Sequence, residues 1–521
     1  MRVGRGVVAA AGILALVVAA AAGWVVGGDG GAGPAVVVGG NTPIDPRRAA
    51  DTLDTTAANS PTVVENPRHP ANLVLVSRID TPRFSCTMDV SLDGGATWAQ
   101  TPIPPPPGAP AVACFGPDAT FSADGSLHVS FTSAGAVPGQ GTAPDAVWVA
   151  TSHDGGRTLG APVRAGGPLA FQVRIAADPS QPGRVYLCWL QAGDTAPWGL
   201  VGAANPIVST RSDDGGATWA PPARVSPPSR SLVVAPVPAV TVDGGLVVAY
   251  LDVGDDRLDY DGAHAGKGGD PYAGPWWLVA ARSDDGGATW QEGVVDRLAP
   301  ATRFIQLFPP APSVAVAGRQ VYVAFADARR GDADAWVWAS ADGGRRWSPA
   351  RRVNDARPGD QYLPAVSVAP GGRVDVVYYD RRADPGGTMN EVSLQSSRDH
   401  GRTFGPRTLL SDRAFDAAIG FGADRGLPEL GSRLAVLAGR TGVLAVWADT
   451  RSGTRASAHQ DLARAVARVA ADPGSARRAR DASLAVAVTA AVLGPFGLVA
   501  LRRRRTPSRR ISEPDPMPAP N

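Results

Sequence analysis

Three short strings in the second half of the chain set a carboxylate and a guanidinium two residues apart: Asp327-Ala-Arg329, Asp380-Arg-Arg382 and Asp449-Thr-Arg451. Each closes an apolar run, VYVAFADAR, VDVVYYDRR and VLAVWADTR. Carboxylates in such places can move protons, and guanidiniums converging on one mouth can clasp a ligand carboxylate through paired hydrogen bonds. Asp327 and Asp380 are therefore candidate catalytic groups, with the neighbouring Tyr379, and Arg329, Arg382 and Arg451 are candidate substrate-binding groups. A structural reading competes with this one. The Asp caps its own turn, the Arg pairs with an acid on an adjacent unit, and no ligand is involved. A feature that recurs unit after unit serves the unit first, which weighs toward the structural reading.

A second cluster lies in the long insertion Leu251 to Trp277, whose acids Asp252, Asp255, Asp256, Asp259 and Asp261 can in principle hold calcium. They lack the alternating oxygen ligands of a preformed loop, so a solvated acidic segment competes, and no cofactor is required by the sequence. Trp276 and Trp277 can stack on a sugar ring or simply pack at the start of a strand. The insertion, and a shorter one at residues 191–206, read as recognition loops.

What positions these groups is a repeat. The string SDDGGATW occurs at Ser212 and Ser283, and variants begin at Ser91, Ser152, Ser340 and Ser397, so successive starts are 61, 60, 71, 57 and 57 residues apart. A near-constant period of this size marks a unit that cannot bury its own face and must stack on its neighbours. The paired glycines supply positive φ for a tight connection, and the Asp and Ser side chains (Ser91 and Asp93, Ser152 and Asp154, Ser212 and Asp214, Ser283 and Asp285, Ser340 and Asp342, Ser397 and Asp399) can satisfy the loop's own N–H groups. The closing rings Trp98, Trp219, Trp290, Trp347 and Phe404 can drop between units. Four alternating strands surround each motif, which joins the third to the fourth, and a last unit at Arg433 to Val469 has no motif. The fold class is all-β: a β-propeller of four-stranded antiparallel blades, seven preferred and six the alternative. AVVV at Ala35 to Val38 is placed to supply the missing fourth strand of the last blade. With this strand order the loops after strand two open opposite the hairpin motifs, so function is expected on that other face.

The six motifs resemble the Asp-box, or BNR, repeats of the sialidase superfamily, over roughly residues 60 to 465. The resemblance implies a propeller whose boxes are structural, a sugar acid held by three arginines, and an exo-sialidase chemistry in which a Tyr nucleophile works with a Glu and an Asp acts as acid/base. Tyr362, Tyr378, Tyr379, Glu391 and Glu429 are the residues available for the first two roles. The family's Phe/Tyr-Arg-Ile-Pro string has Val173-Arg174-Ile175-Ala176 as its nearest counterpart, without the aromatic residue or the proline. The expected ligand is terminal sialic acid or a related anionic glycan, hydrolysed in the enzyme version. A non-catalytic scaffold docking a protein partner is the alternative.

Composition agrees with a β-rich chain and bounds the partners. The 521 residues include 62 Gly and 48 Pro, and 50 Lys+Arg nearly balance 48 Asp+Glu, so no overall field draws in nucleic acid. Arg2 and Arg5 precede the apolar run 6–26, so residues 1–28 read as a signal peptide or N-terminal membrane anchor. Residues 29–58 read as a linker with the ring-closing strand, 59–470 as the propeller, and 471–482 as a second linker. Residues 483–501 then form a transmembrane helix, and 502–521 a basic cytoplasmic tail begun by Arg502 to Arg505. The expected location is the cell membrane, propeller outward. Cys86 and Cys114 are a disulfide candidate in that setting, Cys188 a buried thiol, and no zinc spacing occurs.

Overall fold

The computed structural model describes residues 36–51, 54–107, 113–195, 205–230, 232–256, 274–300, 310–355, 358–385, 387–420 and 430–469. Alternation of apolar and polar residues becomes seven antiparallel sheets of four strands, each built outward from strand one, with one further short strand in two of them. The first strands, Ala58–Asn66, Ala113–Phe121, Ala170–Ala177, Val233–Val240, Ser313–Ala317, Gln361–Val368 and Ala435–Ala438, lie next to one another around the centre. This is a seven-bladed propeller, and the six-bladed alternative is excluded.

Closure follows from the N-terminal strand. Val36–Val38 pairs antiparallel with Asp461–Val469, placing Val36 opposite Val469, and so supplies the outer strand of blade 7. The seam joins the two ends of the wheel and leaves only a short outer edge on blade 7.

Second strands are buried along their whole length, as in Leu246–Asp252 and Val374–Asp380, because neighbouring blades cover both their faces. That is why they read as continuous apolar runs rather than alternating ones. Outer strands such as Ala99–Gln100 are exposed and short. Burying Trp189, Trp338, Trp447, Tyr250, Tyr322 and Tyr378 between blades supplies the main driving force for stacking.

All six hairpin motifs close in the same way. The Ser hydroxyl donates to the Asp carboxylate at 2.7–2.9 Å and accepts the N–H of the second Gly, or of its counterpart in the motif, at 2.8–2.9 Å. Hydrogen bonds from Thr97 and Thr218, side chain first, hold the Asp93 and Asp214 carboxyls down at about 2. Motif loops also reach across blades: Asn72 of blade 1 donates to the Gly155 carbonyl at 2.9 Å, and Arg211 of blade 3 to that of Gly286 at 2.9 Å. The closing rings pack at the same seams, Trp98 with the apolar cluster shared by blades 1 and 7 and Phe404 with that of blades 5 and 6.

Cys86 of blade 1 and Cys114 of blade 2 form a disulfide, with Cα atoms 5.5 Å apart, and Cys188 is a buried free thiol. Among the described residues no helix is long and apolar enough to cross a membrane. The segments read from the sequence as membrane spans, 6–26 and 483–501, lie outside the described residues.

Candidate functional site

The Asp-x-Arg triplets lie at the blade seams. Asp327, fully buried, accepts the Arg329 N–H at 2.6 Å and the Arg329 Nη2 at 2.8 Å. The same Nη2 reaches Asp296 on the outer strand of blade 4 at 2.9 Å, and the guanidinium lies 5.0 Å from the Trp336 ring centroid. Asp380 accepts the Arg382 Nε at 2.7 Å, and Arg382 Nη2 pairs with Asp355, in the link from blade 5 to blade 6, at 2.8 Å. Asp449 likewise holds Arg451, which turns to Asp412 in the link from blade 6 to blade 7. Each triplet thus caps its own turn and staples its blade to the preceding one, with the three arginines engaging different acids on three different seams. Charge-assisted pairs already satisfied in this way leave little for a ligand.

Tyr379 is fully buried between blades 6 and 7, where its hydroxyl donates to the Ala448 carbonyl and accepts the Ala448 N–H, both at 3.1 Å. Burial raises its pKa well above that of a free phenol. Tyr362 and Tyr378 are also buried, bonded to Asn390 and Gln395, and burial pushes Tyr362 up to about 12. Glu391 pairs with Arg407 at 2.5 Å, and Glu429 lies outside the described residues. No tyrosine named from the sequence therefore stands as a nucleophile at a mouth. Trp276 is buried and donates its indole N–H to Asp256 at 2.8 Å, and Trp277 packs against the same core. Of the insertion's acids, Asp252 pairs with Arg230 at 2.6 Å, while Asp259 and Asp261 lie outside the described residues. Among the described residues no group of three or more His, Cys, Asp or Glu is arranged to hold a metal.

A different set of charges surrounds the centre of the wheel. The first strands of five blades carry a bulge near their start, and the bulged residues Ser60, Gly116, Gln172, Ala235 and Leu363 have φ of 51°, 53°, 56°, 57° and 48°. Four of these are not glycine, and left-handed backbone costs such residues about 1–2 kcal/mol each. Repeated strain of this kind is maintained by the surrounding fold and points to a place where side chains are being aimed. Where the ladder resumes stand Thr62, Asp118, Arg174, Val237 and Ala365. Two residues before the regular first strand of blade 7 stands Arg433. These positions are at the ends of the blades away from the hairpin motifs.

Two adjoining cavities of about 100 and 130 Å³ open here and share Arg174, Ala311, Ser432 and Arg433. Three guanidiniums line the first, from Arg78, Arg174 and Arg433, facing the rings of Phe84, Phe115 and Phe171. Arg78 is locked bidentate on the buried Asp80, at 2.6 and 2.9 Å. Arg433 donates to the backbone carbonyls of Pro61 at 3.2 Å and Pro117 at 2.8 Å, and to the Thr62 hydroxyl at 3.0 Å. Arg174 has its Nε 3.1 Å from Asp118, but its buried Nη1 has no hydrogen-bond partner. Desolvation first, and then the nearby positive charges of Arg174 and Arg78, lower the pKa of Arg433 well below that of a free guanidinium. A guanidinium does not release its proton in a protein, so the same forces act as a standing demand for negative charge. On the opposite side of the ring the described residues Val237, Ser313 and Ala365 are uncharged.

Arg78, Asp118 and Arg433 were not singled out by sequence reasoning, and Arg174 entered only as part of a motif comparison. A usable signal was present for Asp118 alone. Prolines follow the bulged residue in four blades, at Pro61, Pro117, Pro236 and Pro364, and the next residue is the one the ladder presents to the centre.

No family model and no curated protein matches the chain. Among solved structures it is similar to a protein of unknown function from Dyadobacter fermentans, at 14% identity and TM-score 0.46 over 84% of this chain and 100% of that one. It is also similar to a Hadza microbial sialidase, at 16% identity and TM-score 0.42 over 77% and 75% of the two chains. An ulvan lyase, a polysaccharide lyase, aligns at 11% identity and TM-score 0.48 over 78% and 94%.

Proposed function

We propose that this chain is a cell-surface propeller whose central cavity binds the carboxylate end of an anionic glycan, with terminal sialic acid or a related sugar acid as the ligand class. The observation that carries this reading is the convergence of Arg78, Arg174 and Arg433 on one cavity in which a buried Arg174 N–H remains unpaired. A bound carboxylate would accept that N–H and relieve the mutual repulsion of the three cations. The narrow paired chambers suit the end of a ligand rather than the middle of a chain, and the phenylalanine wall suits the apolar face of a sugar ring.

Binding is the part of the reading with support in the site. Hydrolysis would need an acid and a nucleophile at the same cavity. The described carboxylates beside it, Asp80 and Asp118, are each paired with an arginine. Anchoring through 6–26 and 483–501 belongs to the same proposal. Val36 and Val469 are strand partners on the side of the hairpin motifs. Calcium in the 252–261 segment forms no part of the proposal.

Titration of the purified full-length chain with N-acetylneuraminate, glucuronate and glucose, followed by calorimetry, tests it. The acids should bind and glucose should not, and Arg174→Met should weaken the acids by ten- to a hundredfold, as expected for a charged hydrogen bond of about 1.5–3 kcal/mol. Equal binding of glucose, or an Arg174→Met protein that keeps full affinity for the acids, defeats the reading.

A further inference from the structure

A second basic site lies at the rim, apart from the central cavity. The outer strand of blade 5, Arg351–Arg352, and the segment leading into the outer strand of blade 6 form the walls of an open groove of about 630 Å³. Four guanidiniums line it, from Arg330, Arg351, Arg352 and Arg407, against one carboxylate, Asp355. That carboxylate is already taken by Arg382 at 2.8 Å.

The four arginines differ in how far they are committed. Arg407 is held between Glu391 and Asp380, at 2.5 and 3.1 Å, and Arg352 leans toward Asp334 at 3.6 Å. Arg351 and Arg330 are exposed and have no carboxylate partner among the described residues; Arg330 lies 5.8 Å from the Trp336 ring centroid. A groove with two committed and two uncommitted cations along its length offers several weak anionic contacts in a row. A single small anion would use only one of them.

We propose that this groove binds a linear polyanionic glycan, a polysaccharide bearing sulfate or carboxylate groups at intervals, and does so independently of the central cavity. A polymer gathers such contacts by releasing counterions, so its affinity is salt-dependent. A nucleic acid strand fits less well. Trp336 is buried, and no exposed aromatic ring among the groove's described residues offers a base a stacking surface. The net charge of +2 adds no long-range attraction.

The test uses the full-length protein with dextran sulfate, polygalacturonate and neutral dextran, and a single-stranded DNA of matched charge, at two salt concentrations. At least one polyanionic glycan should bind, more weakly at higher salt, and dextran should not. Arg330→Gln with Arg351→Gln should weaken that binding tenfold or more and flatten its salt dependence. Arg47→Gln with Arg157→Gln removes the same net charge elsewhere and should leave it intact, as should Arg174→Met. The sulfate and uronate arms decide which anionic group is preferred. Retained binding in the Arg330/Arg351 protein, equal loss in the charge-matched control, or DNA binding as tight as the best glycan overturns the assignment.

Discussion

Truncating Arg382 separates a staple from a ligand group. Its guanidinium, 15% exposed, spans from Asp380 at 2.7 Å to Asp355 at 2.8 Å. Removing one partner of a buried ion pair costs about 3–5 kcal/mol when the remaining charge is abandoned. Asp380 is not abandoned: Arg407 stays at 3.1 Å, Ser393 at 2.8 Å and Gln361 at 3.2 Å. Arg382→Ala should therefore cost less, about 2–3 kcal/mol. Residues 36 to 469 make a unit of 434 residues (469 − 36 + 1). At about 2 cal/mol/K per residue its unfolding entropy is about 0.9 kcal/mol/K, so the loss appears as a fall of only about 2–3 °C in Tm. Scanning calorimetry of Arg382→Ala, Asp355→Ala and the double variant should show the double change less harmful than the sum of the singles, since both remove one interaction. Affinity for a sugar acid should be unchanged in all three. A variant that melts with the wild type but no longer binds the acid would make Arg382 a ligand group and overturn the staple.

Replacing both Cys86 and Cys114 by Ser should lower stability by about 3–4 kcal/mol, the chain-entropy value for a closed loop of this size, given a sequence separation of 28; thermal melts of the variant and of the reduced wild type should agree. His128, fully buried between Ser122 and Thr151, is pushed down by burial to about 4. A group whose folded pKa lies below its unfolded value of about 6.5 and which is neutral when deprotonated costs stability as pH falls from about 6.5 to 4, here up to about 3 kcal/mol. Asp89, raised to about 6 chiefly by burial, acts in the opposite sense over about pH 4 to 6, so the contribution of His128 is read as the difference between wild-type and His128→Asn melts. That difference should narrow by about 3 kcal/mol, in favour of the variant, from pH 7 to pH 4, and a constant gap would refute the assignment.

The repeats were legible because a blade is a local object. Its period, its four strands, the hairpin motif and the AVVV strand that closes the ring are contiguous patterns of a few residues each, so the sequence displays them directly. The hairpin motif is also self-sufficient: Ser212, Asp214 and Thr218 satisfy one another within eight residues. The arginines proposed to bind at the centre are another kind of object. Arg78, Arg174 and Arg433 come from blades 1, 3 and 7, and nothing in the spacing of 78, 174 and 433 announces that they meet. The triplets show the complementary case, in which the structural reading of the sequence matches the pairings found. Asp327-Ala-Arg329 and its counterparts are conspicuous because they repeat, and in blades 5, 6 and 7 each pairs within its turn and across to the preceding blade.

The two populations of arginine can be told apart by a criterion that carries beyond this chain. At a seam, the guanidinium finds a carboxylate at hydrogen-bond distance on either side, as Arg329, Arg382 and Arg451 do, and the charges cancel within the fold. At the mouth, three guanidiniums line one cavity, two carboxylates beside it pair with Arg78 and Arg174, and an N–H of Arg174 is left buried without a partner. The backbone that presents Arg174 is itself strained, through the left-handed Gln172. Folding alone would favour neither an excess of buried positive charge nor a non-glycine residue at positive φ; the bulge recurs in five blades, and the charge excess stands only where the blades differ from one another. A ligand anion at the centre would resolve the first imbalance, and the bulges that aim the side chains there account for the second. Imbalance of charge at a shared bulge, more than repetition of residues, therefore marks the place on this wheel where binding is to be sought.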